Sequence, residues 1–289
     1  MRSEQEMLDQ ILNIARQEEA VRVVILNGSR VNPNAPRDLF QDFDIIYFVK
    51  DVAAFAANVD WVKRFGDVMI LQMPETMQDP PPRRDNNFAY LMQFTDGNRI
   101  DLTILPLTEV NRTRLDSLSL LLLDKDGIVK PLPEPTEESY LPRPPSRKAF
   151  SDCCNEFWWV STYVAKALWR QEVFYAKKLL DQEMREQLMK MLDWHFGAET
   201  NFGVNPGKQG KYFQKYLELG LLKMLKETYT GIGIDENWEA LFTMCNLFRK
   251  VALRLAANSD LVYPIEDDRK VAAHLEHVRL LPRDAKVIY

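Results

Sequence analysis

Six of the chain's sixteen prolines fall between residues 131 and 145, at positions 131, 133, 135, 142, 144 and 145. Proline fixes φ and offers no backbone donor, so this stretch belongs to neither a sheet interior nor a helix. It reads as an extended linker, and the sequence changes texture across it. Before it, short runs rich in β-branched and aromatic residues predict strands at Val21–Leu26, Asp42–Val49, Val68–Gln72, Phe88–Phe94 and Arg99–Leu105. The last two form a hairpin across Asp96-Gly97. Met7, Leu8, Ile11, Leu12 and Ala15 recur at helical spacing within residues 4–18, and a short helix is expected over 51–64. Pro80-Pro-Pro82 followed by Arg83–Asn87 reads as a surface loop. Beyond the linker, helical periodicity runs through 150–180, 182–196, 210–229 and 236–257, punctuated by Gly203, Gly231 and Gly233. The expected fold class is α+β: a mixed sheet with flanking helices over 1–135, then a helical bundle over 136–289.

Charge and cysteine usage narrow the setting. The 289 residues carry 37 Lys and Arg against 42 Asp and Glu, a net charge of −5. That balance argues against broad nucleic-acid binding, which needs a basic footprint, and is compatible with a cationic small molecule. Cys153, Cys154 and Cys245 make no disulfide framework, so a reduced, cytoplasmic setting is expected. The charged N-terminus lacks the apolar core of a signal peptide. The densest apolar run, Leu118–Leu123, falls far short of the ~20 residues that span a bilayer, so no membrane association is expected.

The chemistry concentrates around acids placed on strands. Gly28-Ser29-Arg30 follows the first strand, and Asp42-Phe43-Asp44 opens the next. Alternation puts Asp42 and Asp44 on one face and Phe43 on the other. Two carboxylates ~5 Å apart repel by about 3 kcal/mol at an effective dielectric of ~20, so the fold must relieve them with a cation, a proton or solvent. Hard oxygen donors suit Mg²⁺. Asp101 is a third acid in an otherwise apolar strand, where an ionised group needs a partner. If its strand lies beside that of Asp42, three carboxylates converge, an arrangement suited to divalent-metal phosphoryl chemistry. Gly28 permits close backbone approach, and the Ser29 hydroxyl can donate to a phosphate oxygen. Singly, a Gly-Ser turn is just a turn and two acids in a strand an exposed face; their combination points to a site.

In this pattern the sequence resembles the nucleotidyltransferase superfamily that includes DNA polymerase β. Within it, the sequence is similar to the aminoglycoside 6-adenylyltransferases over nearly the whole chain. The resemblance rests on Leu26-Asn-Gly-Ser-Arg30, Asp38-Leu-Phe-Gln-Asp-Phe-Asp-Ile45 and Arg99-Ile-Asp-Leu-Thr103. In the helical half it rests on Cys153-Cys-Asn-Glu-Phe-Trp158, Lys166-Ala-Leu-Trp-Arg-Gln-Glu172 and Trp238-Glu-Ala-Leu-Phe242. It implies a nucleotidyltransferase domain followed by a helical substrate domain, with the site in the cleft between them. It also implies transfer of AMP from ATP to a hydroxyl of streptomycin, with release of pyrophosphate. Carried over residue by residue, it makes Asp42 and Asp44 metal ligands. Asp101 becomes a further ligand that orients or deprotonates the attacking hydroxyl. Gly28 and Ser29 become the triphosphate loop, with Arg30 adding a phosphate contact. Two rival readings keep the fold: a different acceptor, or a nucleotide-binding regulatory module without turnover.

Other residues are candidates with an ordinary structural alternative. Lys166 and Arg170, four apart on one helix, are candidate triphosphate contacts or a solvated face. Lys211, with Lys208, is a further phosphate candidate or a basic helix start. Glu156 and Glu172, with Asp152, supply carboxylates for a cationic acceptor, with Trp158, Trp159 and Tyr163 nearby as faces or core. His274 and His277, three apart, lack a clear third ligand for zinc. The expected ligands are therefore Mg²⁺, ATP and an aminoglycoside, and the expected assembly a monomer or weak dimer.

Overall fold

The computed structural model describes residues 1–77, 79–80 and 87–289, so positions 81–86 of the expected surface loop lie outside the described residues. The chain divides into two units, Met1–Ser139 and Tyr140–Tyr289.

The first unit opens with helix α1 (Glu4–Gln17). Ser3 accepts from the Glu6 amide while the Glu6 carboxylate accepts from the Ser3 amide, a reciprocal cap on two orphan donors. Met7, Ile11, Ile14 and Ala15 turn inward from this helix. Strands β1 (Val21–Asn27), β2 (Phe43–Val49), β3 (Val68–Gln72), β4 (Phe88–Phe94), β5 (Arg99–Pro106) and β6 (Ser119–Asp124) form one sheet in the order β3-β4-β5-β2-β1-β6. The β2–β5 pairing is parallel, whereas β1–β2, β1–β6, β3–β4 and β4–β5 are antiparallel. Parallel neighbours need a crossover, and helix α2 (Val52–Ala57), a 3₁₀ turn at Val59–Phe65, β3 and β4 all fall between them in sequence. The single short helix expected over 51–64 is thus split in two. Phe43, Ile45 and Tyr47 of β2 and Ile100, Leu102 and Ile104 of β5 are buried on one face. The Tyr47 hydroxyl donates to the Ile11 carbonyl at 2.6 Å, which locks α1 to that face. Asp44 and Asp101 occupy the alternate positions, so core packing on one face aims the acids at the other.

The second unit is helical: α3 (Arg147–Trp169), α4 (Val173–Lys178), a π turn (Leu179–Met184), α5 (Arg185–Glu199), α6 (Phe213–Tyr216), α7 (Leu219–Glu227), α8 (Ile234–Ala257) and α9 (Ile265–Leu280). The continuous helix expected over 150–180 is interrupted, because Gln171 adopts φ of 64° and ends α3. The stretch 210–229 likewise divides between α6 and α7. Phe157 stacks on Phe248 at 3.8 Å between ring centroids in the core. Asp268, buried, accepts from Arg249 and from the Tyr263 hydroxyl at 2.7 Å, a satisfied network within the bundle. No described helix is long and apolar enough to cross a membrane.

Candidate active site

β1 ends at Asn27, and the chain turns through Gly28, Ser29 and Arg30 in a single 3₁₀ turn. Gly28 has φ of +79°, a conformation that L side chains rarely adopt, and its amide donates to the Leu118 carbonyl at 3.0 Å. A β-carbon there would lie 2.3 Å from Asp44 Oδ2. The missing side chain is therefore what lets the Asp44 carboxylate rest against the turn. Asn27 and Asp44 are register partners across β1 and β2, and the Ser119 hydroxyl donates to the Asn27 side chain at 2.8 Å.

Asp44 is also the register partner of Asp101 across the parallel pair, and Asp42 lies just before β2. Burial, then the charges of Asp101 and Asp42, push the Asp44 carboxyl up to about 6. Asp42 is also raised, first by burial and against the pull of Arg99. Carboxylates raised first by burial and then by one another mark a partly desolvated acidic cluster. Among the described residues the strong neutralising contact is Arg99, whose guanidinium grips Asp101 through two hydrogen bonds of 2.8 Å and stands 3.6 Å from Asp42. Arg99 was not singled out in the sequence, although its spacing of two from Asp101 puts both on one strand face.

Arg30 is deployed differently from the expected phosphate contact. Its side chain is buried, donating to the Asp42 carbonyl at 2.9 Å and to the Gln41 carbonyl. It pairs with Glu4 at 3.2 Å and covers the Phe43 ring at 3.6 Å. These contacts tie the turn after β1 to the segment entering β2. Gln41 adds a bond from its side-chain amide to the Ser29 carbonyl.

The donor chemistry fits a hard divalent cation: carboxylates on adjoining strands, mutually repelling, one of them largely buried. As they stand, no group of three or more His, Cys, Asp or Glu among the described residues is placed to hold a metal ion, and the Arg99 fork holds Asp101.

The family model for streptomycin adenylyltransferase matches residues 1–278. The chain belongs to that family. An aminoglycoside 6-adenylyltransferase of Bacillus subtilis (strain 168) is 40% identical over 270 residues, covering 93% of this chain and 95% of the relative. One of Campylobacter jejuni is 41% identical over 271 residues, covering 93% of each chain. A crystal structure of an aminoglycoside 6-adenyltransferase from Bacillus subtilis aligns over 97% of this chain and all of that one, with 35% identity and a TM-score of 0.48.

The remaining candidates of this adenylyltransferase family member lie in its helical unit, described by itself. Lys166 and Arg170 stand at the end of α3 and line a cavity of about 420 Å³ with Tyr163, Trp169 and His274. The Lys166 ammonium sits over the Tyr163 ring at 4.8 Å. Glu156 is exposed on α3, and Glu172 is exposed where α4 begins. Lys211 is exposed after a 3₁₀ turn at Lys208–Gly210, over the Tyr212 ring at 5.6 Å. Trp158 is core, while Trp159 is exposed and donates to the Tyr163 hydroxyl at 2.9 Å. Asp152 pairs with Lys148. Asp193, absent from the sequence candidates, is drawn to notice by burial alone, which pushes its carboxyl up to about 6.

Proposed function

We propose that the protein transfers AMP from ATP to a hydroxyl of an aminoglycoside, with the 6-hydroxyl of streptomycin the leading acceptor, and so inactivates the antibiotic. The observation that carries this reading is the convergence of Asp44 on both the Gly28 turn and Asp101. In a member of this family, that convergence supplies acids beside a backbone able to approach a phosphate. The names of the relatives supply the acceptor class.

The acceptor oxygen forms a bond to the α-phosphorus as the bridging bond to the β-phosphate breaks, and pyrophosphate leaves with the electron pair. Asp42, Asp44 and Asp101 would hold Mg²⁺, which when bound neutralises phosphate charge. Asp101 orients the attacking hydroxyl and takes its proton once Arg99 releases that carboxylate. Gly28 and Ser29 present backbone and hydroxyl donors to the triphosphate, while Arg30 holds Asp42 in place through its carbonyl. Lys166, Arg170 and Lys211 are assigned to the nucleotide, and Glu156 and Glu172 to the cationic acceptor. Most of the rate comes from positioning and charge stabilisation around the phosphoryl group. The first unit is thus the catalytic domain and the helical unit the acceptor domain. The enzyme works in the cytoplasm as a monomer or weak dimer, on free small molecules.

The test is pyrophosphate release with ATP, Mg²⁺ and a panel of aminoglycosides. Release with streptomycin supports the proposal, and silence with every aminoglycoside removes it. Asp42→Asn should abolish release while leaving the far-ultraviolet circular dichroism unchanged; a fully active variant refutes the role of Asp42.

A further inference from the structure

The π turn at Leu179–Met184 leads straight into α5, and such turns gather at functional sites. From there Arg185, Glu186, Lys190 and Asp193 follow at helical spacing. With Asp181 and Tyr229 they line a cavity of about 520 Å³, in the size range of small-molecule sites.

The charges around this cavity pair off with one exception. Asp181 meets Lys177 at 2.7 Å and Arg185 at 3.4 Å, and Glu186 meets Lys190 at 2.7 Å. Arg185 is buried, donates to the Thr228 hydroxyl and carbonyl at 2.8 and 2.9 Å, and lies over the Tyr229 ring at 3.6 Å. Among the described residues Asp193 has no ion-pair partner, and its Oδ1 and the buried Nε of Arg185 have no hydrogen-bond partner. Burial alone raises its carboxyl. A carboxylate that lines a cavity with no cation beside it is under-compensated, and a positively charged ligand that donates hydrogen bonds into the cavity offsets that cost.

We propose that this cavity receives an ammonium or guanidinium group of the acceptor aminoglycoside, with Asp193 as its counter-ion. The inference rests on the adenylyl-transfer reading above and gives the acceptor a seat within the helical unit. It adds a specificity-determining carboxylate distinct from the three acids of the sheet.

Isothermal titration of streptomycin into the full chain without ATP reads the contact directly. Asp193→Asn keeps the shape and removes the charge. It should weaken binding about 10-fold or more, as loss of a charge-assisted hydrogen bond does, with thermal stability at pH 7.5 undiminished. In turnover, the KM for streptomycin should rise by a similar factor while the KM for ATP stays put. Asp193→Glu restores the charge and should recover part of the affinity. Glu239→Gln, which removes an exposed acid paired with Arg279, serves as the control for general charge loss and should leave affinity as it was. A folded Asp193→Asn variant that binds streptomycin as tightly as the wild type overturns this inference alone. A wild-type chain that neither binds nor adenylylates any aminoglycoside overturns it together with the functional reading.

Discussion

Replacing Gly28 with alanine separates two effects that a single glycine combines. The first is backbone strain: φ at Gly28 is +79°, and an L side chain there costs about 1–2 kcal/mol. For a unit spanning Met1–Ser139, that lowers the melting temperature of its transition by roughly 3–6 °C. The second is a collision, since the new β-carbon would stand 2.3 Å from Asp44 Oδ2. The carboxylate must swing aside by about 1 Å to reach ordinary contact. A displacement of that size at a reacting centre lowers kcat by about 100-fold, equivalent to about 2.7 kcal/mol in the barrier. Gly97 provides the matched control, because it shares the conformation, with φ of +89°, yet a β-carbon there meets nothing within 4 Å. Gly97→Ala should therefore lose stability similarly and keep its turnover. Thermal melts and pyrophosphate release with ATP, Mg²⁺ and streptomycin report the two effects separately. If Gly28→Ala turns over as fast as Gly97→Ala, the contact between Asp44 and the turn has no part in catalysis and the reasoning fails.

Two further outcomes follow from other contacts. Arg30→Met keeps a stem against Phe43 but frees the carbonyls of Gln41 and Asp42 and leaves Glu4 with Arg37, 3.8 Å away, as its ion-pair partner. Through the two lost carbonyl bonds it should destabilise the first unit by about 2 kcal/mol in urea denaturation and depress kcat, while an unchanged midpoint would show that the clamp is idle. Asp193 yields a pH effect of defined sign. Its native carboxyl is raised to about 6, so the native state binds more protons than the unfolded state between that value and the ordinary one near 3.9. The resulting stability is fully present below about pH 4 and lost as the pH climbs through 6. Relative to wild type, Asp193→Asn should gain about 1–2 kcal/mol at pH 7.5, after allowance for solvent screening, and show no such gain at pH 4. Equal gains at both pH values would mean that burial does not raise this carboxyl in the native state.

The strands were legible where two faces differ in environment. In β4 and β5, buried and partly exposed residues alternate, and the sequence carries that alternation. The strand β6 escaped notice because Leu118–Leu123 is apolar save for Ser119 and shows no alternation, and its pairing with β1 is a long-range fact that no local period announces. The end of α3 was hidden for the opposite reason. The helical period runs on past Gln171, and neither glycine nor proline marks the left-handed residue that breaks it. The helix α9 left only a faint trace, since Leu275 and Val278 are its only buried hydrophobic residues. At the site, the three acids stood out as charges in apolar strands. The inward turn of Arg30 did not, because an arginine beside a glycine turn reads equally well as an anion contact or a backbone clamp. The isolation of Asp193 was invisible, because an acid on an amphipathic helix looks solvated until its neighbours have chosen other partners.

The single parallel seam of the sheet also sets a timetable for competence. β2 and β5 are brought side by side only after the chain between them has gone out to the far edge and returned through β4. A nascent polypeptide truncated before Arg99 already contains the glycine turn and two of its acids, yet has no way to complete the set. The set of acids is thus incomplete in any fragment that stops short of β5, and losing β5 from the middle of the sheet takes Asp101 away from Asp44.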